Sequence, residues 1–256
     1  MASNLAYGPQ IKTDGLIVCL DANNTKSYSG GTVWRNLASQ NVDYTLLNWN
    51  LSTKEGVKGL LKSESVTTDS AYIRSTNVND YSAKLGFQYY MVNGPFTLSF
   101  WDYQTAYATD GSQTCGSVFS TNSDGTNAGH QMQINHGYNF PSTNGYSFRL
   151  PNGAIPADAL GNPEPLNVWT NHVLTVSENA TDGVAHYYRN GVLYDTNTTY
   201  TAWPTNTTDA YHYLMRDVDD ENNFAGYVAQ ILIYKRILSA QDVKENYNAF
   251  KGRFGL

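Results

Sequence analysis

The segment Pro95-Phe96-Thr97-Leu98-Ser99-Phe100-Trp101 sets the reading of this chain. Phe96, Leu98 and Phe100 fall on one side, and Thr97, Ser99 and Trp101 on the other. A period of two belongs to a β-strand. Upstream, Leu16-Ile17-Val18-Cys19-Leu20 is a short apolar run that stops at Asp21-Ala22-Asn23-Asn24, a turn signal. Downstream, Trp169 to Val176 reads as a strand, and Val184 to Arg189 follows the turn residues Thr181-Asp182-Gly183. Asn190-Gly191 then turns the chain into Val192-Leu193-Tyr194. Asn-Gly suits a type I′ hairpin, which needs positive φ at both central residues. Tyr227 to Tyr234 is a further, largely apolar strand.

One helix is predicted, near the C-terminus. Ser239 caps it, with Asp242 three residues on in a capping-box pattern. Val243, Tyr247 and Phe250 recur at helical spacing and form one apolar stripe. Lys251 and Gly252 are the expected end. Turn residues are spread evenly between the strands, with no linker and no internal repeat. The expectation is an all-β antiparallel sandwich with one short C-terminal helix, forming a single domain over residues 1–256. Residues 1–14 read as an N-terminal arm and 239–256 as a C-terminal helix and tail. Residues 105–165 read as loop-rich, because Gly, Asn, Ser and Pro interrupt every run.

Composition narrows the function. The 256 residues carry a formal net charge of −6, with 15% charged residues and 20 tyrosines. No Lys/Arg cluster is present to neutralise phosphates, so nucleic acid is not an expected partner. No apolar run approaches the ~20 residues needed to span a bilayer, so no membrane partner is expected. The first ten residues lack a basic region followed by an apolar one, so no secretory signal is expected. Without one, the Asn-x-Ser/Thr triplets at Asn23, Asn50, Asn179, Asn197 and Asn206 read as unglycosylated. The two cysteines, Cys19 and Cys115, read as buried free thiols.

The usual catalytic arrangements have no foothold. No Gly-x-Ser-x-Gly elbow and no phosphate-cradling Gly-rich loop before a helix is present. The histidines, His130, His136, His172, His186 and His212, form no zinc motif. His172 and His186 fall on predicted strands and read as packed or half-exposed strand residues. The densest acidic run is Asp217-Val218-Asp219-Asp220-Glu221, so Asp217, Asp219, Asp220 and Glu221 are the calcium candidates. The run lacks the turn glycine and spacing of an EF-hand loop, and a solvated hairpin tip accounts for it better. Tyr107, His136, Tyr138, Tyr146 and Trp203 are candidate glycan or partner contacts, since rings of this kind stack on sugars and line interfaces.

Several stretches together carry a family resemblance. Gly15-Leu16-Ile17-Val18-Cys19-Leu20-Asp21-Ala22 resembles the opening strand of laminin G-like (LamG) jelly rolls, in the concanavalin A-like lectin/glucanase superfamily. Phe96 to Trp101 resembles their "FTISFW" strand. Trp169 to Val176, with Tyr187-Tyr188-Arg189-Asn190-Gly191, resembles their "W-x-H-V…Y-x-N-G" hairpin. Phe224 to Ala240 resembles the closing strand and capped helix. The resemblance implies a concanavalin A-like sandwich and, as one function, recognition of host surface glycans. Glucanases of the superfamily carry a Glu-x-Asp-x-x-Glu motif, and none of Glu55, Glu64, Glu164, Glu178, Glu221 and Glu245 stands in one. The expectation is therefore a protein without a catalytic centre and not an enzyme.

The two ends resemble something narrower. Tyr7 to Leu16 and Asn246 to Leu256 are similar to the ends of stand-alone LamG-like virion structural proteins of tailed bacteriophages, cyanophages among them. That resemblance implies a capsid decoration or fibre-associated subunit, present in many copies or as a homo-oligomer. Its partners would be other virion proteins, the major capsid protein among them, and its assembly would occur in the host cytoplasm.

Overall fold

The structure, a computed structural model, describes residues 10–38, 42–47, 49–62, 72–75, 95–105, 116–122, 133–136, 146–150, 153–155, 165–177, 183–200, 211–214 and 226–256. Strands dominate. They are β1 (Leu16–Asp21), β2 (Val33–Trp34), β3 (Tyr44–Leu47), β4 (Trp49–Lys54), β5 (Val57–Lys62), β6 (Tyr72–Ser75), β7 (Phe96–Gln104) and β8 (Gly116–Asn122). Then come β9 (Gln133–His136), β10 (Tyr146–Leu150), β11 (Gly153–Ile155), β12 (Trp169–Val176), β13 (Gly183–Arg189), β14 (Val192–Tyr200), β15 (Tyr211–Leu214) and β16 (Gly226–Tyr234). One helix, α1 (Ala240–Phe250), follows among the described residues and runs into a 3₁₀ turn, Lys251–Phe254.

Two antiparallel sheets form the sandwich. The first has the order β14-β13-β12-β7-β16-β5-β4, with β1 also paired to β16. The second has the order β11-β10-β9-β8-β15-β6-β3-β2. The first sheet contains every strand predicted from the sequence. At its centre β7 pairs with β12 on one side and β16 on the other, and all nine β7 residues are buried. The β13–β14 turn is the expected hairpin: Asn190 has φ 50° and Gly191 φ 75°.

Two readings need correction. The strand beginning at Val192 runs on to Tyr200, well past Tyr194. The stretch 105–165 contains β8 to β11 and so supplies half of the second sheet's strands. These strands are short and separated by Gly, Asn and Pro, so no window shows enough periods to be recognised. The α-helix ends at Phe250 with Lys251 as its C-cap, as expected, and a 3₁₀ turn then carries the chain to Gly255, whose φ is 76°.

Two-residue alternation splits the first sheet's side chains between two layers. Phe96, Leu98, Phe100, Leu174, Ile231 and Ile233 face the second sheet, where they meet Trp34, Tyr44, Leu46 and Ile73. The opposite, outer face is also apolar. It carries Trp101, Tyr103 and Trp169, and beside them Cys19, Val173, Leu232 and Tyr234. Helix α1 and the 3₁₀ turn cover this face with Val243, Tyr247, Phe250 and Phe254. The capping box forms as predicted: Ser239 accepts from the Asp242 amide, and Asp242 accepts from the Ser239 amide. Cys19 is a buried free thiol. Burial first, and the Asp21 charge second, push it up to about 11, with Arg253 opposing. Cys115 lies outside the described residues.

The N-terminal arm is tied to the helix. The Lys12 amide donates to Asn246 Oδ1 at 2.8 Å, and Tyr234 Oη donates to the Lys12 carbonyl at 3.0 Å. The Lys12 ammonium pairs with Glu245 and, at 3.5 Å, with Asp242. Arg236 bonds Asp242 Oδ2 at 3.0 Å. Lys12 lowers the Glu245 carboxyl and is itself raised by it. Burial acts to raise the Asp242 carboxyl, but bonds from Arg236 and Ser239 outweigh it and the net direction is down. A depressed carboxyl stabilises the fold above its unfolded value and loses that contribution as pH falls through the folded value. Lys12→Ala should therefore lower Tm at pH 7, and the difference from the unsubstituted chain should shrink as pH is taken below the ordinary carboxylate values of about 4. A difference unchanged between these pH values would show that the arm is not held by charge.

Candidate functional site

The two-residue period that buries Phe96, Leu98 and Phe100 also places Asp102 on the same inward face, where a carboxylate is costly unless bonded. Cross-strand register supplies its partner. Asp102 lies opposite Thr170 on β12, and His172 lies opposite Phe100 and, on the other side, Arg189 of β13. His172 Nε2 is 3.2 Å from Asp102 Oδ1, and His172 Nδ1 is 2.7 Å from Tyr187 Oη. The imidazole thus bridges Asp102 and Tyr187 through its two ring nitrogens, and the tautomer sets which partner donates at each. Phe100 stacks on the imidazole at 4.9 Å between centroids.

His172 is 1% exposed, Asp102 2% and Tyr187 5%. Both imidazole nitrogens are engaged within the protein, which leaves neither for a metal or for proton transfer to a substrate in this arrangement. The chain Asp102–His172–Tyr187 instead fixes three strands in one register. His172 is thus a packed strand residue, and His186, bonded to Thr196 Oγ1 at 2.9 Å, a surface one, as their strand positions predict. Sequence reading missed Asp102 and Tyr187. The available signal was a carboxylate on the apolar parity of a clear strand.

Beside this network Arg189 lies over the Tyr194 ring at 4.0 Å, and Tyr187 meets Tyr194 edge-on at 5.7 Å. Strand β14 carries Tyr194 at the border of the first sheet, followed by Asp195. The Oη of Tyr194 and the Oγ1 of Thr170 are buried without a hydrogen-bond partner.

The residues named from sequence as glycan or partner contacts are placed as follows. His136 ends β9 and Tyr146 begins β10, and the two are register partners. Tyr107, Tyr138 and Trp203 lie outside the described residues, as do the calcium candidates Asp217, Asp219, Asp220 and Glu221. Among the described residues, no group of three or more His, Cys, Asp or Glu could hold a metal ion. No described helix is long and apolar enough to cross a membrane.

Comparison with solved structures finds this sandwich in larger proteins. A Trypanosoma rangeli sialidase in complex with 2,3-difluorosialic acid matches with a TM-score of 0.64 at 15% identity, over 94% of this chain and 34% of that one. A mutant of the T. rangeli sialidase displaying trans-sialidase activity matches with a TM-score of 0.64 at 16% identity, over 99% and 36%. The binding domain of botulinum neurotoxin DC in complex with SialylT matches with a TM-score of 0.58 at 15% identity, over 93% and 52%. The chain thus spans about a third to a half of these relatives' lengths, and at this identity the likeness is one of fold. No curated protein matches the sequence. A family model of the concanavalin A-like lectin/glucanase superfamily, Laminin_G_3, matches residues 62–244, more than half of the chain. On that match and this architecture, the chain belongs to the concanavalin A-like lectin/glucanase superfamily.

Proposed function

We propose that this protein is a carbohydrate-binding, lectin-like module that recognises surface glycans. The observation that carries the reading is the β9–β10 register. It brings His136 and Tyr146, both candidate glycan or partner contacts, opposite each other on one ladder of the second sheet. A tyrosine and a histidine at paired backbone positions supply the two residue types a sugar ring needs: a ring for stacking and a polar group for a hydroxyl. The superfamily and the 2,3-difluorosialic-acid-bound and SialylT-bound proteins that share the fold support the same reading.

Ligand binding to the folded state raises stability by RT ln(1 + [L]/Kd), about 2.7 kcal/mol at a hundredfold excess over Kd. A panel of neutral and sialylated oligosaccharides at millimolar concentration should therefore raise Tm for at least one member. The His136→Ala/Tyr146→Ala chain should lose that shift while melting normally without sugar. Running the panel with calcium and with chelator also tests the acidic run at 217–221. If no oligosaccharide moves Tm under either condition, the reading fails.

A second reading, a structural subunit of a virion, rests on the sequences of the two ends. In the structure, Asn246, Tyr247, Phe250, Arg253 and Phe254 contact the protein's own arm and sheet. Mass spectrometry of gradient-purified particles from the source decides it: many copies per particle support the reading, and absence removes it.

A further inference from the structure

Three side chains form a row across the outer face of the first sheet. Register sets their order: Trp101 of β7 lies opposite Gln230 of β16, and Gln230 lies opposite Asp21 of β1. The end of the chain covers the row. Phe254 stacks on the Trp101 indole at 3.9 Å between centroids, within 3° of parallel. Arg253 Nη1 donates to both carboxylate oxygens of Asp21, at 3.0 and 2.9 Å. Between these two contacts sits Gln230, which is 1% exposed. Neither its Nε2 nor its Oε1 has a hydrogen-bond partner.

A buried amide with both ends unbonded is rare in folded proteins and calls for a cause. The surrounding groups suggest one. An indole with a ring stacked flat on it, an amide with a free donor and a free acceptor, and a carboxylate held by one arginine and one backbone amide make a set that suits a sugar. The segment that fills this set is short: a four-residue 3₁₀ turn followed by Gly255, in which a Cβ added at Gly252 would meet nothing within 4 Å.

We propose that residues 251–256 are a displaceable plug, and that the row beneath binds the pyranose ring of a neutral sugar. This inference rests on the glycan-binding reading above. Phe254 occupies the place of the sugar ring on Trp101, whose negative π-face suits the weakly positive C–H edge of a pyranose. Gln230 donates from Nε2 and accepts at Oε1, the complement of two adjacent hydroxyls. Asp21, released by Arg253, accepts from a third hydroxyl while its Oδ1 keeps the Asn23 amide, now at 2.9 Å.

The test compares the full chain with an Arg253→Ala/Phe254→Ala chain. Methyl glucopyranoside, galactopyranoside and mannopyranoside are titrated separately and followed by tryptophan fluorescence and calorimetry. The double variant should bind at least one of them about tenfold or more tightly than the full chain, equal to about 1.4 kcal/mol. Adding Gln230→Met should abolish the gain. A folded double variant with unchanged affinity overturns the plug. If the full chain still responds to the oligosaccharide panel, only the plug has failed; if neither chain binds any sugar, the glycan reading has failed with it. Should the double variant not fold, Gln230→Met in the otherwise unaltered chain decides. Replacing an unbonded amide by an apolar chain of similar length should raise Tm by about 2–4 °C. A fall in Tm means that the amide is bonded, for instance to a trapped water, and overturns the proposal.

Discussion

Gly226→Ala should cost more than about 3 kcal/mol and leave little or no cooperatively folded protein. Gly226 opens β16 at φ 148°, a conformation that residues with a Cβ rarely adopt. A Cβ placed there would lie 2.2 Å from the Tyr103 carbonyl oxygen, 3.0 Å from Gln104 Cα and 3.1 Å from Tyr103 C. These are backbone atoms of the partner strand, so no rotamer change relieves the overlap. Strand β7 cannot retreat either. Tyr103 is 2% exposed and is wedged edge-on between Trp169 at 5.5 Å and Tyr227 at 5.9 Å. The β7–β16 pairing would have to open at the Gln104–Gly226 end. In a chain of this size the loss should lower Tm by more than about 6 °C, or abolish the transition. A Tm within 1 °C or so of the unsubstituted chain would contradict the described pairing.

Trp101→Ala should cost about 3–5 kcal/mol, the range for removing a large aromatic from a core. Trp101 is 1% exposed and lies under the C-terminal segment, with Phe254 at 3.9 Å and Tyr247 at 5.7 Å. The loss should appear in two ways. Tm should fall by about 6–20 °C, from the usual 2–4 °C per kcal/mol in chains of this size. The last residues should also become accessible to carboxypeptidase, because Phe254 loses its stacking partner. Trp101→Phe, which keeps a flat ring, should restore most of the protection. If the alanine variant melts within about 3 °C of the unsubstituted chain and its end stays protected, the tail does not rest on Trp101.

Legibility in the sequence follows from how each element is stabilised. β7, β12, β13 and β16 lie in the first sheet, between two apolar layers, so they are long and their residues repeat cleanly. Such strands are readable one at a time. Most strands of the second sheet are not. β2, β3 and β6 have 2, 4 and 4 residues, too few to show a period, and they acquire their identity by pairing with each other. Helix α1 was legible because Ser239 and Asp242 are local partners. The contact of Arg253 with Asp21 was not, since it spans 232 residues of sequence.

The candidate site divides the same way. His172 was readable as a strand residue, but its partner Asp102 lies 70 residues away and is found only through the β7–β12 register. His136 and Tyr146 were chosen for their chemistry, and their pairing emerged only with β9 and β10. Gln230 gave no signal at all. It sits within an apolar strand, and only the fold shows that its amide is buried without a partner.

The most direct test of the central claim is a glycan array probed with the labelled full chain, with calcium and with chelator. Concentration-dependent binding to a related group of glycans, lost in the His136→Ala/Tyr146→Ala chain, is the predicted result. An array with no glycan above background under either condition would contradict the claim that this sandwich is a carbohydrate-binding module.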